Sequence, residues 1–103
     1  MKLTDILSVA KQVAKETRCI LETKDNSEYG WMGISLLTDK FGGCAVNLCY
    51  MIEDGRCFDW IHSENEKELN NPIELAVYAT SKVIEEYSKR DLHEISNLIN
   101  EEY

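Results

Sequence analysis

The stretch Cys44-Ala45-Val46-Asn47-Leu48-Cys49-Tyr50-Met51-Ile52-Glu53-Asp54-Gly55-Arg56-Cys57-Phe58-Asp59-Trp60-Ile61 holds two apolar runs joined by Asp54-Gly55. It reads as a β-hairpin, because a two-residue type I′ turn needs positive φ at both central positions, which Gly adopts freely and Asp tolerates. Such a turn pairs 53 with 56, 52 with 57, 51 with 58, 50 with 59, 49 with 60 and 48 with 61. One face then carries Ala45, Cys49, Met51, Phe58 and Trp60. The other carries Val46, Leu48, Tyr50, Ile52, Cys57 and Ile61, with Asp59 opposite Tyr50. Both faces are apolar, so the sheet is expected to be covered on both sides, by helices, by a second copy of the chain or by another protein.

Outward from the hairpin, Lys40-Phe41-Gly42-Gly43 reads as a turn into it. Tyr29 to Thr38 reads as a preceding strand, in which Gly30 and Gly33 indicate a bulge or a close backbone approach. Arg18 to Thr23 reads as the first strand, ending at the turn-prone Lys24-Asp25-Asn26-Ser27. Before it, Ile6, Leu7, Val9, Ala10, Val13 and Ala14 make one helical stripe over residues 4 to 17, with Thr4 as its cap.

After the hairpin, Ser63 to Asn71 is polar and reads as a loop. Asn71-Pro72-Ile73-Glu74 then opens a helix: Asn caps, Pro takes the first position, and Glu74 can reach back. The helical spacing runs to Lys89-Arg90, whose charges suit a C-terminus, and Asp91 reads as the cap of a short last helix. The expected fold is α+β, a single domain over residues 1 to 103 with an N-terminal helix, a four-stranded antiparallel meander and two C-terminal helices.

The 103 residues include 44% apolar and 29% charged side chains, ordinary for a folded chain. No apolar run approaches the roughly 20 residues that span a bilayer, so a soluble, unexported protein is expected. Cys19, Cys44, Cys49 and Cys57 form no C-x-x-C pair and have only His62 and His93 as companions. They read as reduced core thiols of a cytoplasmic protein, with neither metal nor cofactor implied.

The net charge of −8 is uneven: residues 53 to 103 hold thirteen acidic and five basic side chains. That sign repels nucleic acid and phospholipid headgroups and attracts basic clefts of nucleic-acid enzymes. The same excess also serves solubility alone.

Catalytic groupings are weaker. Asp59, His62, Glu64 and Glu66 suggest a general base or metal cluster, but an odd separation in a strand sends Asp59 and His62 to opposite faces. Glu22-Thr23-Lys24 has the E-x-K spacing of metal-dependent nucleases but lacks a partner aspartate. Cys49 shares a face with His62 without pairing with it, and His93 lies near the start of the last predicted helix. No catalytic residue is assigned.

In its short length, acidic balance, lack of a catalytic motif and helix-plus-meander order, the whole chain resembles the small inhibitors of phages and mobile elements, anti-CRISPR proteins among them. Toxin-immunity proteins and small acidic secretion chaperones share that profile. The resemblance implies stoichiometric blockade of an RNA-guided nuclease, with acidic side chains in a guide-RNA or DNA channel and apolar groups as anchors. The acidic candidates in this sequence are Glu64, Glu66, Glu68, Glu85 and Glu86, and the anchor candidates are Trp31, Phe41 and Trp60. An immunity or chaperone-like partner protein and a small metal-dependent hydrolase or nuclease are the alternatives. A homodimer would also satisfy the two-sided sheet.

Overall fold

The computed structural model describes residues 1–39, 43–60 and 67–102, with side chains through residue 89. Helix α1 (Leu3–Thr17) precedes strands β1 (Ile20–Asn26), β2 (Trp31–Leu37), β3 (Cys44–Met51), β4 (Cys57–Asp59) and β5 (Lys67–Leu69), and helix α2 (Pro72–Glu102) follows. The strands form one antiparallel sheet in the order β1-β2-β3-β4-β5. The α+β class and the meander agree with the sequence reading; the strand count and the C-terminal helices do not.

Strand β5 adds a fifth member where a polar loop was expected. Its sequence, Lys67-Glu68-Leu69, has one apolar residue, and Leu69 is buried opposite Cys57. Pairing to β4 makes this a strand; three residues are too few for a periodic signal. The two expected C-terminal helices are one, because Lys89-Arg90-Asp91 contains no residue that breaks a helix. Lys89 forms an i,i+4 ion pair with Glu85 at 3.4 Å, which supports the helix interior as well as an end.

The start of α2 follows its sequence closely. Asn71 Oδ1 accepts the Glu74 N–H at 2.8 Å, and Glu74 reaches back to the Asn70 N–H at 3.4 Å. Helix α1 instead begins one residue before Thr4, with extended Lys2 at the cap position and no side-chain cap. It ends at Arg18 in the left-handed region (φ 58°), where the Cys19 N–H bonds the Ala14 carbonyl.

The hairpin forms, with a longer loop and a shifted register. Tyr50 pairs with Cys57, Cys49 with Phe58 and Leu48 with Asp59, two residues away from the expected pairs. Only Gly55 of the turn has positive φ (71°). Asp54 instead accepts the Arg56 N–H at 3.1 Å, and the Gly55 N–H closes the loop on the Met51 carbonyl at 2.8 Å. A slip of two residues preserves the faces, since side chains alternate with period two. Asp59 therefore lies opposite Leu48 rather than Tyr50, still on the side expected of it.

Both helices pack on that same side. Ile6, Ala10 and Val13 of α1 and Leu75, Ala79 and Val83 of α2 share one buried cluster with Ile34, Leu36, Val46, Leu48, Cys57 and Leu69. Helices therefore do not cover both faces: the two lie side by side on a single one. The register irregularity in β2–β3 falls between Leu36 and Leu37, opposite Cys44 to Val46, rather than at either glycine. Gly30 serves the turn before β2 at φ 88°. At Gly33 the close neighbour is a side chain and not backbone: a Cβ there would stand 3.2 Å from the Trp31 ring.

Candidate functional site: the helix-free face of the sheet

Strand pairing arranges the outer face in three rows. Glu22, Ser35 and Asn47 lie side by side, and the Trp60 N–H continues that row by donating to the Asn47 carbonyl at 2.8 Å. Lys24, Gly33, Cys49, Phe58 and Glu68 form the middle row. Asn26, Trp31 and Met51 form the third. The two tryptophans therefore start in the outer rows, Trp31 on β2 and Trp60 just past the end of β4, a strand that does not neighbour β2.

The middle row explains how they meet. Gly33 has no side chain and Cys49 a small one, so both indoles can lie down across the sheet. Their planes differ by 9° and their centroids are 6.5 Å apart. Cys49 is buried on a face that no helix covers, while Trp60 remains 53% exposed. Beside the rings is a cleft of about 200 Å³ bordered by Lys24, Gly33, Ser35 and Asn47. Ser35 Oγ donates to Asn47 Oδ1 at 3.0 Å along its polar wall. In the middle row, beside Cys49, the Arg56 guanidinium stands 5.1 Å over the Phe58 ring.

The other sequence-derived candidates are dispersed. Glu68 is exposed on β5, on the tryptophan face beside Phe58. Glu85 and Glu86 are on α2, in the helix layer behind the sheet. Lys82 and Lys89 hold the Glu85 carboxylate at 3.4 Å each and push its pKa down, the Lys82 hydrogen bond being the largest cause. Phe41, Glu64, Glu66 and His62 lie outside the described residues, as does the side chain of His93. Of the anchor candidates, Trp31 and Trp60 are brought into contact. Lys24, Ser35 and Asn47 were missed as a group; the register of β1 to β3 would have aligned them, but sequence alone did not supply it.

Asp59 faces the core, fully buried, and accepts the Tyr78 hydroxyl at 2.6 Å and the Asn47 N–H at 3.4 Å. This buried carboxylate is part of the packing between β4 and α2. Burial raises the Tyr78 phenol, and the hydrogen bond and charge of Asp59 raise it further. Burial likewise pushes the Cys57 thiol up to about 12, with Cys49 the next cause, and raises Cys44. None of these holds a thiolate at neutral pH. None of the four cysteines is in a disulfide, and two of them are buried. Among the described residues no group of three or more His, Cys, Asp or Glu side chains is placed to hold a metal ion, and no helix is long and apolar enough to cross a membrane.

The site is thus that of an α+β fold with two helices on one face and an aromatic cleft on the other. Comparison with protein-family models, with curated proteins and with solved structures gives no match.

Proposed function

We propose that this chain is a protein-binding inhibitor that docks on its partner through the helix-free face of the sheet. The observation that carries this reading is the parallel Trp31–Trp60 pair, with Trp60 53% exposed on that face beside a cleft. Large aromatic side chains near the centre of a flat surface are the groups that most often dominate protein association energies. The partner class is a basic nucleic-acid enzyme, RNA-guided nucleases included, because the chain's net charge of −8 raises its encounter rate with a positive surface.

The test is affinity capture at low and high salt with the wild-type chain, Trp60→Ala, and the double variant Glu85→Lys/Glu86→Lys. Recovery of a basic nucleic-acid enzyme that is lost in Trp60→Ala and weakened by salt, followed by stoichiometric inhibition of the isolated enzyme, supports the reading. Capture indifferent to Trp60 overturns it.

A toxin-immunity or chaperone-like role is the second reading. It is favoured by the separation of the tryptophans from Glu85 and Glu86, which lie in the helix layer. Docking by the aromatic face alone does not need those charges. Salt-resistant capture of a toxin or secreted effector, lost in Trp60→Ala and retained in the Glu85/Glu86 variant, would select it.

A further inference from the structure

The cleft beside Trp31 and Trp60 has a chemistry opposite to that of the chain as a whole. In a protein with 19 acidic and 11 basic side chains, the described residues of its border include one charged group, the Lys24 ammonium. Lys24 makes no ion pair among the described residues. Glu22 shares the face but does not border the cleft. Ser35 occupies Asn47 Oδ1, so the Asn47 amide is left with its Nδ2 hydrogens to offer. The cleft therefore joins aromatic walls to a cation and an amide donor, with no carboxylate among the described residues of its border.

Its size decides between kinds of occupant. About 200 Å³ is below the roughly 300–1,000 Å³ of pockets that enclose a small-molecule ligand. It matches one large side chain held by contacts that continue over the flat sheet.

We infer that the cleft receives an aromatic side chain of a protein partner, with a neighbouring carboxylate of that partner on Lys24 and Asn47. This inference rests on the protein-binding reading above and specifies the peptide chemistry that the site selects. A partner enzyme with a basic surface overall satisfies it with a local acidic-aromatic segment.

Both tryptophans of the chain stand at this cleft, so intrinsic tryptophan emission reports on it alone. The full chain is titrated with acetyl-Asp-Phe-Asp-amide and with acetyl-Lys-Phe-Lys-amide, following that emission. The overall negative field predicts tighter binding of the basic peptide; the cleft predicts the reverse. The expected result is an Asp-flanked peptide bound about threefold or more tightly than its Lys-flanked counterpart, as one or two exposed ion pairs supply. Lys24→Glu, checked for folding by circular dichroism, inverts that preference. Gly33→Ala, whose new Cβ would stand 3.2 Å from the Trp31 ring, weakens both peptides.

Tighter binding of the basic peptide to the wild-type chain, no change in emission with either peptide at millimolar concentration, or affinity unchanged in Gly33→Ala would each overturn the inference. Those outcomes concern the occupant. The protein-binding reading stands or falls separately, on the Trp60-dependent capture.

Discussion

The indole rings of Trp31 and Trp60 lie parallel, 6.5 Å apart between centroids, although their residues start in the two outer rows of the sheet face. They meet over Gly33 and Cys49, the two smallest members of the row between. An aromatic pair of this kind contributes about 0.5–1.5 kcal/mol beyond its buried area. Trp60 carries most of its exposure, at 53%.

Replacing either tryptophan should accordingly separate binding from stability. Trp60→Ala, at a residue 53% exposed, is expected to cost less than the roughly 3–5 kcal/mol of truncating a fully buried aromatic side chain. For the captured partner, loss of a central anchor weakens affinity by about thirtyfold or more, the equivalent of 2 kcal/mol. Urea denaturation and titration calorimetry measure the two effects.

The opposite face should show the reverse pattern. Leu36→Ala or Leu48→Ala removes a side chain buried between the sheet and both helices and should cost about 2–5 kcal/mol. Ile73→Ala, on the exposed side of α2, should stay within about 0.5 kcal/mol of wild type. Thermal unfolding of the three variants tests the assignment of faces.

Tyr78 and Asp59 form a part-buried contact that removal of a single atom breaks. Tyr78→Phe leaves the fully buried Asp59 without its 2.6 Å donor and should destabilise by about 1–3 kcal/mol. Tyr87→Phe, which loses an exposed 3.3 Å bond to the Arg18 carbonyl, should have a smaller effect.

Alkaline pH should unfold the protein through groups whose folded-state pKa is raised. Cys57, up from 9.0 to about 12, and Tyr78, raised above its ordinary 10.0, keep their protons when the unfolded chain has lost them. Their contribution is complete below pH 9 and falls as pH rises from there through 12, because the folded state binds more protons than the unfolded one. Urea midpoints at pH 8, 10 and 11 (~ values spanning the window set by the linkage relation) should decline progressively. Cys57→Val should flatten the early part of the decline.

Arg18 holds a left-handed backbone with a β-carbon, φ 58°, at the end of α1. Arg18→Gly should stabilise the fold by up to about 1 kcal/mol, since glycine adopts this conformation without the steric penalty. Gly55→Ala, at φ 71° in the hairpin loop, should do the opposite. Paired chemical denaturation curves give the sign of each.

Local chemistry decided the parts of this fold that repeat within one element. The stripe Ile6, Ala10, Val13 and Ala14 placed α1, the Asn71-Pro72 pair opened α2, and strand alternation assigned Cys49 and Trp60 to one face and Leu48 and Cys57 to the other. That assignment survived a two-residue slip of the hairpin, because parity is unchanged by an even shift. Tertiary structure decided what parity leaves open. With both faces apolar, no local pattern states which one the helices cover; the larger aliphatic set, Ile34, Leu36, Val46 and Leu48, took them. Nor could Lys67-Glu68-Leu69 be read as a strand until β4 offered it a partner, or Trp31 be placed against Trp60 until the registers of β2, β3 and β4 aligned Gly33 with Cys49. Contacts between non-neighbouring strands depend on every register between them, and a turn one or two residues longer changes each in turn.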